Sequence, residues 1–137
     1  MGVEDIKWSE WTRSIERLLR LKTFPVVLKL YEDPADLSRN KWLRRPQEKL
    51  SLCQMITIVR TFDWTVGGVA EDLVTQGCAS ILGLCELSEF VTSGEMRSKV
   101  WLDSKEDASM CERVIQRIPY GRFRAFALAP TAYDPFV

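Results

Sequence analysis

The 137-residue chain contains no histidine. That absence removes Ser-His-Asp and Cys-His catalysis, and with them every histidine-containing metal site. General acid–base work would fall to carboxylates, a lysine, a tyrosine or a thiol. Net charge is absent too, because 19 Lys and Arg balance 19 Asp and Glu. A nucleic-acid partner therefore has no general electrostatic support. No run approaches the ~20 apolar residues that cross a bilayer, and Glu4, Asp5 and Glu10 make the opening too acidic for a signal peptide. These features point to a cytoplasmic chain without a membrane partner. The four cysteines, Cys53, Cys78, Cys85 and Cys111, then read as free thiols or ligands rather than disulfides. No two of them show the close C-x2–4-C spacing of zinc knuckles and ribbons.

What is present is ordinary for a globular domain: 46% hydrophobic and 28% charged residues. The length fits a single domain over residues 1–137. Trp8, Trp11, Ile15, Leu18 and Leu19 recur at helical spacing, with Arg13, Glu16, Arg17 and Arg20 facing away and Asp5 placed to cap the start. Pro25 closes that helix and Val26–Tyr31 follows as a strand, with Glu32-Asp33-Pro34 turning the chain out. Ser51 is the N-cap of a helix to about Phe62, whose polar side is so narrow that burial is expected for most of it, Cys53 included. Trp64-Thr65-Val66 reads as a short strand running into Gly67-Gly68, taken as a strand-end turn or bulge. The stretch from Cys78 to Cys85 suits either a packed helical turn or a buried strand. Lys99-Val100-Trp101-Leu102 reads as a strand, and Ser104 with Asp107 marks a helix start with Ala108, Cys111, Ile115 and Ile118 on its apolar face. The last strand spans Phe123–Ala129. It is either central and already flanked, or an edge that a second copy or a partner chain must cover. Strands alternating with helices give α+β (or α/β): one mixed sheet with about three to four helices.

Chemistry concentrates between residues 39 and 54. Arg39, Lys41, Arg44, Arg45 and Lys49 face a single acid, Glu48, and then Ser51 opens a helix with Cys53 in its first turn. Helix N-termini and nearby cations favour anions and thiolates, so the segment is either a solvated loop or an anion site. The candidate ligand-binding set is Arg44, Arg45, Ser51, Cys53, Gly67, Gly68 and Trp42, with Trp42 chosen because it joins an aromatic to cations outside any core stripe. The expected partner is a small anionic ligand. Glu71 and Asp72 are adjacent and read as solvated or helix-start charges rather than an acid–base pair. Two alternatives stand beside a small-ligand or redox-associated binding protein. One is an iron–sulfur or metal protein using the scattered Cys53, Cys78, Cys85 and Cys111. The other is an interaction subunit pairing through its terminal strand. No cofactor and no reaction follow from the residues.

An ordered series of segments also carries a resemblance. Leu21-Lys22-Thr23-Phe24-Pro25-Val26, Leu28-Lys29-Leu30-Tyr31, Arg44-Arg45-Pro46, Leu50-Ser51-Leu52-Cys53-Gln54, Trp64-Thr65-Val66-Gly67-Gly68 and Glu71-Asp72 come first. Leu82-Gly83-Leu84, Pro119-Tyr120-Gly121 and Leu128-Ala129-Pro130 follow. From residue 21 to 130 the chain resembles the domain of unknown function 169 family, uncharacterised archaeal and bacterial proteins. The resemblance implies no activity. It implies a pattern that continues past Pro130, so the chain is expected to match the N-terminal half of a larger family fold, as a short form or a fragment. Thr75-Gln76-Gly77-Cys78 departs from a Cys-Pro turn of some members, which weakens a ligand role for Cys78.

Overall fold

In a computed structural model, residues 7–131 are described, the side chain of Trp8 excepted. The architecture is α+β, with four strands in one mixed sheet and three helices of ten or more residues. In chain order these are α1 (Trp8–Leu19), β1 (Val26–Tyr31), β2 (Leu43–Arg44), α2 (Leu52–Phe62), β3 (Thr65–Val69), α3 (Gln76–Ile81), α4 (Glu89–Thr92), α5 (Glu95–Ser98), α6 (Lys105–Val114) and β4 (Ala125–Pro130). A 3-10 turn, Pro34–Arg39, follows β1, and another, Ala70–Asp72, follows β3.

The sheet order is β1-β4-β3-β2, with β4 antiparallel to both neighbours and β2 parallel to β3. The last strand is therefore central. All six of its residues are buried, and both of its edges are paired within the chain, so the expected pairing of an open terminal strand with a partner has no free edge to use. The alternation of β4 explains the two sides of the sheet. Phe126 and Leu128 lie beside Leu30, Leu28, Gly68 and Val66 in register and pack with Met55 and Val59 of α2. Ala125 and Ala127 face the other way and pack with Tyr31 and Leu37, the latter from the 3-10 turn. Burying Phe126, Met55 and Val59, which are fully enclosed, contributes about 1.5–3 kcal/mol per side chain.

Helix α2 forms where Ser51 places it. The Ser51 hydroxyl accepts from Gln54 N–H (3.1 Å) and the Gln54 side chain accepts from Ser51 N–H (2.8 Å), a reciprocal capping box. Its burial is narrower than the sequence suggests: Met55 and Val59 are enclosed, whereas Cys53 is exposed. One apolar stripe satisfies the sheet, and the opposite side stays wet.

Three further expectations are corrected. Residues 99–102 form no strand. They follow α5 in a turn, with Trp101 77% exposed. Helix α6 begins as expected, with Ser104 accepting from Asp107 N–H (3.1 Å), but its inward side carries Ala108 and Glu112 while Cys111 is exposed. The Glu112 carboxylate is held by Arg97 (Nε–Oε1 2.8 Å) and by Arg117, which also donates to the Glu112 and Ile115 carbonyls. Two guanidiniums around one carboxylate satisfy a charge that burial would otherwise penalise. The apolar stripe of α1 does not enter the core: Trp11 is 63% exposed and Leu18 and Leu19 are exposed, while Thr12 turns inward and donates to the Thr131 carbonyl (3.2 Å). The cap expected from Asp5 lies outside the described residues.

Candidate functional site

The parallel pairing of β2 with β3 places the basic segment. Leu43 lies beside Thr65 and Arg44 beside Val66. Trp64 precedes Val66 by two residues and so falls on the Arg44 side of the pair. The Arg44 guanidinium carbon sits 3.8 Å from the Trp64 ring centroid, a cation–π contact. Among the described residues no carboxylate pairs Arg44. Asp63, in the left-handed region at φ 55, ends α2 and swings the chain into β3. That turn brings the Phe62 and Trp64 rings to 5.0 Å at 31°. Trp42 immediately precedes β2 as Trp64 precedes β3, so both tryptophans leave the same end of the strand pair. Trp42 is 80% exposed, and its N–H donates to the Asn40 side chain (3.0 Å), which fixes the turn that carries it.

One residue on, Arg45 has a different fate. Its Nε and Nη2 both donate to Asp72 Oδ2, at 3.2 and 2.6 Å, and the same oxygen accepts from Val69 N–H (2.9 Å). Asp72 holds the helix-start place expected of it, capping the Ala70–Asp72 turn where β3 ends, and its half-buried carboxylate also neutralises Arg45. Gly67 and Gly68 are inside β3, not in a turn after it, and both are buried. A side chain at Gly67 would run into the Phe126 carbonyl and come within 2.9 Å of Ala127 Cα. One at Gly68 would displace the Asp72 carboxylate. The two glycines permit close approach, but the groups that approach belong to this chain.

The candidate set therefore divides. Arg44 with Trp64 and Phe62 forms an open cationic and aromatic surface, and Trp42 stands exposed at the same end of the strand pair. Arg45, Ser51, Gly67 and Gly68 are used internally by the ion pair, the capping box and the packing of β3. The exposed Cys53 makes no thiol contact among the described residues. Sequence reading missed Trp64 and Phe62 as neighbours of Arg44, since only the parallel register reveals them. The signal available was the Phe62-Asp63-Trp64 spacing across a helix end.

The sulfurs do not assemble. Cys53 and Cys111 are exposed, Cys78 and Cys85 half-buried, and among the described residues no three Cys, Asp or Glu side chains are grouped to hold a metal ion. Burial first, and Glu71 second, push the Cys85 thiol above its ordinary value, which opposes the thiolate a ligand role needs. The described residues thus give a scattered-cysteine centre no support. No helix among the described residues is long and apolar enough to cross a membrane.

Comparison with known proteins gives one finding. A family model, domain of unknown function 169, described as uncharacterised ArCR, matches residues 14–137. The chain belongs to this family. The matched region is nearly the whole chain and wider than the 21–130 segment that carries the resemblance, which corrects the narrower N-terminal-half assignment. No curated protein and no solved structure gives a significant match.

Proposed function

We propose that this member of the family is a small-ligand-binding protein whose ligand is an anion held at the open end of the β2–β3 pair. Arg44 is the anchoring cation and Lys41 adds charge. The observation that carries the reading is the setting of Arg44: a guanidinium 3.8 Å over the Trp64 ring, on the surface, without a carboxylate among the described residues. A guanidinium stacked on a ring keeps its N–H donors at its rim, where they suit the oxygens of a carboxylate or phosphate. Arg45 is excluded from the role because Asp72 already occupies it. Among the described residues the exposed Cys53 thiol meets no cation or hydrogen-bond partner that would support a redox task.

Thermal melts of the whole chain in inorganic phosphate, sulfate and acetate test this reading. An anion that binds only the folded state at a hundred times its Kd adds about 2.7 kcal/mol. The expected result is a dose-dependent rise in Tm for at least one anion that is lost in Arg44→Gln. A flat response to all three, or a rise that Arg44→Gln retains, removes the proposal.

A further inference from the structure

The geometry points to a narrower ligand class for this surface: a small anion that carries a flat conjugated ring, as a mononucleotide does. The inference rests on the anion reading above and adds the ring. An inorganic anion would need only donors, yet the donors here are set among three exposed aromatic side chains, Trp42, Phe62 and Trp64. Single exposed apolar residues are normal on a protein surface. Three rings at one end of one strand pair, beside Arg44 and Lys41, which pair with no carboxylate among the described residues, form a patch.

The rings differ in what they have left to offer. Trp64 has Phe62 at 5.0 Å and Arg44 at 3.8 Å. Trp42 has no ring or cation contact among the described residues, although its backbone is fixed by the Asn40 bond and by the pairing of Leu43 that follows it. A ring presented to solvent from a fixed backbone loses little conformational freedom when another ring stacks on it. The Arg44 guanidinium makes no hydrogen bond among the described residues, so its donors are available to an acidic group attached to that ring. The assignment is thus Trp42 for the ring and Arg44, with Lys41, for the charge. Stacking is tolerant of ring identity, so the surface selects a class rather than one molecule.

Calorimetric titration of the full chain with adenosine 5′-monophosphate, adenosine and inorganic phosphate separates the two parts. The monophosphate is expected to bind at least tenfold tighter than either fragment. Trp42→Ala should weaken the monophosphate by about tenfold while leaving phosphate unchanged, and Arg44→Gln should weaken both. Trp42 is 80% exposed, so unchanged melting of Trp42→Ala is expected and shows that folding is intact. Phosphate binding that depends on Arg44, with no gain from the ring or no loss in Trp42→Ala, overturns this inference and leaves the anion reading standing. Absence of binding by every probe overturns both. A six-residue oligoadenylate distinguishes the source of the nucleotide: binding tighter than the monophosphate assigns the surface to a strand, equal or weaker binding to the free molecule.

Discussion

Arg44 and Arg45 are consecutive in sequence, yet they occupy opposite chemical situations. Arg45 is closed: two of its nitrogens donate to Asp72 Oδ2, and that oxygen also ties down Val69 N–H where β3 ends. Arg44 is open, lying on an exposed indole with no hydrogen bond from its guanidinium among the described residues. The difference lies in what the neighbouring strand presents to each arginine. Beside Arg44 an aromatic leads into β3, and beside Arg45 the chain folds back as a 3-10 turn that delivers a carboxylate. A cation whose partner is inside the fold supports stability, and one stacked on a ring at the surface adds little to it.

That contrast can be broken by mutation, and a third arginine cluster sets the upper end of the scale. Glu112→Ala would leave Arg97 and Arg117 around an empty acceptor, and a loss of about 3–5 kcal/mol is expected in urea unfolding. A loss below about 1 kcal/mol would show that the cluster is solvated in practice. Gly67→Ala should follow at about 3 kcal/mol, because the obstacle is β4 backbone and cannot rotate away. Asp72→Ala is expected to cost about 2 kcal/mol through the lost charge-assisted bonds and the orphaned Val69 N–H. Arg44→Gln should change stability by less than about 1 kcal/mol, the scale of an exposed cation–π contact. If Arg44→Gln proved as destabilising as Asp72→Ala, the distinction between the two arginines would collapse and the anion proposal would lose its premise.

The smallest expected effect concerns the thiols. In the folded chain Cys53 and Cys111, being exposed, should react with a thiol reagent faster than Cys85 at pH 7. Cys85 titrates above its ordinary thiol value because of burial and Glu71, so its labelling should accelerate only at more alkaline pH. The sign for stability follows. A group whose folded pKa is raised favours the fold fully below its unfolded pKa, and that contribution fades as pH rises through the folded value. Peptide mapping of the labelled sites against pH reads this directly, and Cys85 labelling as fast as Cys53 at pH 7 would contradict it.

Much of the fold was legible along the chain. Val26–Tyr31, the Ser51 cap of α2 and the Ser104 start of α6 follow from local signals: a β-branched run beside proline, and hydroxyls that take an N3 amide. Lys99–Leu102 reads as a strand from sequence because a short apolar run looks the same in a strand and in a turn between helices. Glu112 escaped because a carboxylate on a helix reads as solvated until Arg97 and Arg117, from separate segments, arrive around it. The α1 stripe was read correctly as amphipathic, but periodicity cannot say whether a partner surface exists for it.

Legible along the chain alone are the class of fold, the family, the lack of histidine chemistry and a basic, helix-capped corner between residues 39 and 54. Local rules suffice for these, since caps, periods and composition act over a few residues. Which arginine of that corner is paired depends on long-range contacts. The parallel register of β2 on β3 set Trp64 beneath Arg44, and the turn after β3 carried Asp72 back to Arg45. Those are contacts across 20 and 27 positions of chain, and electrostatic partners at that separation are chosen by strand pairing rather than by sequence neighbourhood.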